Sequence, residues 1–229
     1  VSYLPPLGPH LGPADRPHSV ASSAGLPPST VEEVVVLPFN DLESCRALIE
    51  EHADELAAVI VDPLSTAAGM TLPEDGFLNQ VREITEQNEV VLIFDEIISF
   101  RVTRGGAQEM YGVRPDLTCM GKVVAGGTPG AVMGGRADLL AAYDPTVGAR
   151  IQQSGTYNGN PFAMVAGMVT LRKLTPEVYE ELADRTSRLG IALKEAFAKA
   201  GVTACVATVG SLFRVYFLPE PPRNYRESA

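Results

Sequence analysis

"LAAVIVDPLSTAAGMTLPEDGFLNQVREITEQNEVVLIFDE", residues 56–96, decides the fold. It opens on an apolar run, LAAVIVDP, continues through PEDGFLNQVREITEQN, whose apolar residues recur with helical spacing, and closes on a second apolar run, EVVLIFDE. Strand, helix and strand in that order predict a crossover between parallel neighbours. Both runs are continuously apolar rather than alternating, which predicts a sheet covered on both faces. Ligands of such sheets collect at the carboxyl ends of the strands, and there stand Asp62 and Asp95.

The flanking sequence extends this unit. Upstream, NDLESCRALIEEHAD reads as a helix. Asn40 and Glu43 have the spacing of a capping box, and Leu42, Cys45, Leu48 and Ile49 form one apolar face. VVVLP, residues 34–38, reads as a short strand. Residues 1–30 are dominated by Pro, Gly and Ser and read as an extended N-terminal arm.

Downstream, LTCMG and GAVMGG are short strand candidates, and residues 160–174 and 176–200 are helical. Thr175 and Pro176 open the second helix, with Leu182, Leu189, Leu193 and Phe197 as its apolar stripe. VTACVATV and SLFRVYFLP then read as strands outside the repeating unit. The fold class is α/β, a mostly parallel central sheet between helices with a partial small α+β part at the C-terminal end. The organisation expected is an arm at 1–30, a core at 31–176 and the C-terminal part at 177–229.

Composition excludes several functions. Eighteen basic against twenty-eight acidic residues give a formal charge of −10, the wrong sign for nucleic acid or an anionic membrane surface. No apolar stretch approaches the roughly 20 residues needed to cross a bilayer. Cys45, Cys119 and Cys205 are far apart and odd in number; they read as buried, reduced thiols and point to a cytoplasmic protein. No metal ion is expected.

The chemistry centres on PDLTCMGKVVAGGTPGAVMGG, residues 115–135, where six glycines surround Lys122. It is not a P-loop: Asp116 and Val123 occupy the places of the first glycine and of the Ser or Thr. Between Met120 and Val123–Val124, a partly desolvated Lys122 has its pKa lowered toward the range where a neutral amine attacks a carbonyl. The alternative is a lysine whose head reaches water beside a flexible loop. Asp95, ending a buried strand, needs a cationic partner or a proton; the alternative is a structural ion pair or cap. A Schiff-base lysine and an acid that keeps a ring nitrogen protonated together suit pyridoxal phosphate.

Four segments, FNDLESCRALIEEH, PEDGFLNQVREITEQNEVVLIFDEIISFRV, YGVRPDLTCMGKVVAGGTPGAVMGGR and SGTYNGNPFAMVAGMVTL, stand in one order from about residue 36 to the C-terminal region. Through them the chain resembles the class III pyridoxal-phosphate aminotransferases of fold type I, and within them the glutamate-1-semialdehyde aminomutase branch. The resemblance implies pyridoxal 5′-phosphate as cofactor and Lys122 as its Schiff-base residue. It implies Asp95 as partner of the pyridinium nitrogen and Ile97 as the side chain on one ring face. Gly155 and Thr156, opening GTYNGNP, correspond to the turn whose threonine reaches the phosphate of the neighbouring subunit.

The activity implied is amino-group transfer between an amine or amino acid and a keto or aldehyde acceptor, in a homodimer with shared sites; aminomutation is the alternative. The resemblance places a phosphate-cradling turn and a ring-stacking aromatic upstream of residue 1. It also implies a chain shortened at both ends. In the arm, Tyr3, His10 and His18 are candidates to stack or donate in place of the missing groups; the alternative for both histidines is a solvent-exposed arm residue. Asp62 stands where the family has Glu, and Ala67 where aminomutases have an amide. A reading of another class is a scaffold that folds around the family core without turnover.

Overall fold

The computed structural model describes residues 8–21, 23–148 and 150–228; Tyr3 lies outside them. Four strands form one sheet in the order β1 (Ala58–Val61), β2 (Val91–Glu96), β3 (Leu117–Met120) and β4 (Val132–Gly135). The first three are parallel and β4 is antiparallel to β3. The α/β class and the mostly parallel sheet follow the sequence reading.

Helices take their places around it: α1 (Pro28–Glu32), α2 (Leu42–Glu51), α3 (Phe77–Gln87), α4 (Gly106–Tyr111), α5 (Ala137–Leu140), α6 (Pro161–Lys173) and α7 (Pro176–Lys199). An antiparallel hairpin, β5 (Cys205–Val209) and β6 (Leu212–Tyr216), and a short α8 (Tyr225–Ser228) complete the chain. The boundary expected at 30/31 falls inside α1, and that at 176/177 in the first turn of α7. The hairpin shares a small core with the loop after β1, where Met70, Ala207 and Tyr216 are buried together.

The main core joins α2 and α3 to one face of the sheet. Cys45 and Ile49 from α2 and Leu78, Val81 and Ile84 from α3 meet Val59 of β1 and Leu92 and Phe94 of β2. Helical periodicity on one side and strand alternation on the other bring these residues together. Burial excludes water from the Cys45 thiol and pushes its pKa up to about 12, so it stays protonated at neutral pH. Cys119 and Cys205 are only half-buried.

Several expectations are corrected. Among the described residues the two faces of the sheet are unequally covered: Leu92, Phe94 and Glu96 are buried, while Val91, Ile93 and Asp95 on the opposite face are half-buried and Ile60 is 63% exposed. Both α2 and α3 lie on the first face, so the continuous apolar runs serve two different environments. VVVLP joins neither sheet, and from it only Leu37 packs against the main core.

The cap of α2 is Asp41, whose Oδ1 accepts from the Ser44 amide at 3.1 Å. Asn40 takes a left-handed conformation and staples distant segments, donating to the carbonyls of Leu72 and Arg223 and accepting from the Glu74 amide. Along α7 the buried positions are Tyr179, Thr186 and Gly190, whereas Leu189 is exposed. The small residue Gly190 lets β5 approach closely, and that contact sets the helix face. The arm holds a tight turn at Pro9–Leu11 with Leu11 buried, and Arg226 donates to the carbonyls of Leu11, Gly12 and Pro13.

Phe94→Ala leaves a cavity between α3 and β2. It is expected to lower unfolding free energy by about 3–5 kcal/mol in urea titrations, against less than about 0.5 kcal/mol for an exposed change such as Glu180→Gln.

Candidate functional site

The carboxyl ends of β1, β2 and β3 lie side by side, because Ile60 pairs with Ile93 and Asp95 with Cys119 in register. The next residues along each strand are therefore brought to one edge: Asp62 after β1, Asp95 and Ile97 at the end of β2, and Lys122 after β3. Pro63 and Leu64 turn the chain away after β1, with Asp62 accepting from the Leu64 and Thr66 amides at 3.1 and 2.7 Å. Burial first, and then the neighbouring Asp95, push the Asp62 carboxyl above the usual carboxylate range despite these bonds.

Asp95 and Glu96 are adjacent but face opposite ways. Glu96 is fully buried among the helices and accepts from the amides of Ala107 and Gln108, at 2.5 and 3.0 Å, from Gln108 Nε2 at 3.1 Å and from Ser99 Oγ at 3.1 Å. Gln108 Nε2 also reaches Thr118 Oγ1 of β3 at 3.3 Å. Asp95 is half-buried on the open face. Its Oδ1 accepts from the Ile97 amide at 3.1 Å, and no cation is paired with it among the described residues.

Lys122 begins a tight turn, Lys122–Ala125, and has φ 49°, a left-handed conformation that costs a non-glycine residue about 1 kcal/mol or more. The surroundings hold it there. Gly126, at φ 62°, and Gly167 on α6 allow the turn and the helix to touch: a Cβ on Gly167 would stand 2.3 Å from the Val124 carbonyl oxygen, and one on Gly126 2.4 Å from that of Ala166.

The desolvation expected of Lys122 is not found. Its side chain is exposed, while Met120, Val123 and Val124 are half-buried. The left-handed turn lifts the side chain out of the apolar run, and α6 covers Ala125 instead.

Lys122, Ile97, Ile98, Arg101, Val123, Gly127 and Thr128 line a cleft of about 420 Å³. Of the residues singled out in the sequence, Lys122 and Ile97 share this cleft, with Asp95 two residues before Ile97. Gly155 and Thr156 are exposed on a separate loop and do not line it, and neither do the exposed His10 and His18. Arg101, five residues after the end of β2, was not singled out in the sequence reading. Among the described residues no cluster of His, Cys, Asp and Glu could hold a metal ion, and no helix is long and apolar enough to cross a membrane.

A strand-end carboxylate without a cation, an amine on a constrained turn and aliphatic side chains at the same edge of the sheet suit a flat, cationic heteroaromatic aldehyde. The residues present therefore fit pyridoxal phosphate. A profile of the family described as aminotransferase class-III matches residues 19–224. The chain belongs to the class III aminotransferases.

Within that family, the glutamate-1-semialdehyde 2,1-aminomutase of Desulforudis audaxviator is 43% identical over 208 residues, which cover 90% of this chain and 48% of the relative. An ω-transaminase from Sphaerobacter thermophilus superposes with a TM-score of 0.90 at 43% identity, covering 93% of this chain and 49% of that one. A glutamate-1-semialdehyde aminomutase from Pseudomonas aeruginosa, in complex with PMP, gives 0.77 at 28% identity, over 90% and 48%. The chain thus spans about half the length of the curated relatives it matches. The sequence resemblance to class III enzymes and to their aminomutase branch is borne out.

Below the site, Asp116 anchors β3. Burial alone would raise its pKa, but the Leu92 amide at 2.7 Å and the guanidinium groups of Arg82 and Arg136, at 2.7 and 3.1 Å, outweigh it and hold the carboxyl below the ordinary range. A depressed folded-state pKa contributes stability above the unfolded value of about 3.9, lost as pH falls through the folded value. Asp116→Asn should lower stability at pH 7 and flatten its decline below about pH 4, as thermal melts between pH 2.5 and 7 would record.

Gly167→Ala drives a methyl group into the Val124 carbonyl. A loss of about 1–3 kcal/mol is expected, measured by denaturant unfolding beside Ala192→Gly as a helix-propensity control.

Proposed function

We propose that the chain carries a pyridoxal-phosphate-dependent site for amino-group transfer between an amine or amino acid and a keto or aldehyde acceptor. The observation that supports it most is Asp95, a strand-end carboxylate that accepts only a backbone amide, at the edge where Lys122 stands on its left-handed turn. Pyridoxal 5′-phosphate bound there supplies an aldehyde carbon that condenses with amines and a protonated ring that withdraws electrons from the substrate carbon.

The chain's own residues have distinct tasks. Asp95, with Oδ1 fixed by the Ile97 amide, holds a proton at the ring nitrogen. Ile97 would pack against one face of the ring and keep water from it. Lys122 Nζ is the nucleophile, and as a free amine it moves a proton at the substrate carbon that bears the amino group.

Gly155 and Thr156, exposed and outside this chain's own cleft, serve the phosphate in a second copy, so the working species is a homodimer with shared sites. The substrates are small molecules and the protein is cytoplasmic. A specific observation favours aminomutation as a second reading, because the 43%-identical relative from D. audaxviator bears that name. The exposure of Lys122 favours the non-catalytic scaffold.

Mixing protein and pyridoxal phosphate, reducing with borohydride and mapping the adduct tests the proposal. The expected label is on Lys122 and is lost in Lys122→Ala. A label spread over Lys173, Lys194 and Lys199 instead would overturn it. Asp95→Asn is expected to keep the label and lose about 10²-fold or more in transfer rate, read by exchange between an amine donor and a keto acid. Isomerisation of a single substrate without such exchange would select the aminomutase reading.

A further inference from the structure

Two cations share the cleft, and only Lys122 has a task in the reading above. Arg101 is the other. It lies in the tight turn Ser99–Arg101 that follows β2, and its guanidinium is aimed by a residue 110 positions away: Nε donates to Ser211 Oγ at 2.9 Å. Ser211 sits between β5 and β6, and its hydroxyl also lies 3.4 Å from the Arg101 carbonyl oxygen. The two terminal nitrogens of Arg101 have no hydrogen-bond or ion-pair partner among the described residues.

A guanidinium fixed at Nε, with its remaining nitrogens free at the rim of a cleft, is arranged to take a planar anion in two parallel bonds. The rest of the lining is apolar or small, from Ile97, Ile98, Val123 and Gly127. Thr128 Oγ1 is already engaged, donating to the Ala125 carbonyl at 2.7 Å. The cleft therefore offers an amine, a hydrophobic wall and one open anion receptor. In a chain of net charge −10, such a paired cationic rim marks a place where an acid is admitted.

We propose that Arg101 is a specificity-determining residue that receives the carboxylate of an amino-acid or oxo-acid substrate, and that the C-terminal hairpin sets its aim through Ser211. The proposal rests on the reading of Lys122 as the reactive amine and adds a substrate class to it. The turn geometry separates the two roles: Lys122 engages the reacting end of the substrate, and Arg101 its charged end.

The same nitrogens could serve the cofactor's phosphate, and the experiment has an arm for each source. In the first arm, cofactor-free protein is titrated with phenylacetate and with uncharged phenylacetamide, followed by NMR. Arg101→Gln should weaken phenylacetate at least tenfold and leave phenylacetamide unchanged. Ser211→Ala should weaken phenylacetate two- to fivefold. Equal affinity of wild type and Arg101→Gln for phenylacetate overturns the proposal, as does a wild type that prefers the amide.

In the second arm, wild type and Arg101→Gln are loaded with pyridoxal phosphate and with pyridoxal and reduced with borohydride. Unchanged loading by both supports a substrate role. Loss of pyridoxal phosphate with retention of pyridoxal assigns Arg101 to the phosphate and overturns the proposal. A wild type that fails to label at Lys122 defeats the reading of Lys122, while the first arm still decides Arg101. Because Arg101 is exposed, Arg101→Gln is expected to fold, and its circular dichroism and melting temperature should match wild type.

Discussion

The buried carboxylate of Asp116, the residue just before β3, joins the Leu92 amide of β2, Arg82 of α3 and Arg136 just after β4 to the start of that strand. Its own backbone continues the arrangement, with its amide donating to the Leu92 carbonyl and its carbonyl accepting from the Arg136 amide. A carboxylate this enclosed would be destabilising if any of those donors were missing. With all of them present, it fixes where β3 begins, and therefore where β3 ends and Lys122 emerges.

Glu96 does the same at the other end of the β2–β3 pair. It collects the first amides of α4, and through Gln108 it reaches Thr118. Between these two anchors β2 and β3 have little freedom to slip, since a shift of one residue would exchange Asp95 and Glu96 between the faces of the sheet. The outcome is a division of labour between adjacent acids. Glu96 satisfies the interior, and Asp95 remains available on the open face.

The C-terminal hairpin and α8 are held by long-range polar contacts. Tyr216 Oη lies 2.5 and 2.9 Å from the carbonyls of Gly69 and Met70, and Ser228 Oγ lies 2.6 Å from that of Ala68. These tie the C-terminal hairpin and α8 to the loop that leaves β1 beside Asp62. Arg101 and Ser211 add a further link next to Lys122. The last fifty residues therefore shape the edge of the sheet rather than hang from it. Helix α6 also exposes apolar side chains, with Phe162, Met164, Val165, Met168 and Val169 facing outward while Ala163 and Gly167 are buried.

The sequence by itself determined the parallel β1–α3–β2 unit, the strand-end acids and the glycine-flanked lysine, because hydrophobic period and turn chemistry are local properties written residue by residue. It also carried enough of its family's pattern to identify Lys122, Asp95 and Ile97 as candidates. Only the tertiary structure decided which face of the sheet is covered, since an apolar run looks the same whether helices stack on one side or two. It decided that Asp41 rather than Asn40 caps α2, and that Gly190 rather than Leu189 meets β5, because both depend on partners distant in the chain. It decided that Lys122 stands exposed, because a left-handed turn is set by what α6 presses against it. The pairing of Arg101 with Ser211, 110 residues apart, has no local signature at all: it exists because folding brings a hairpin turn to the mouth of the cleft.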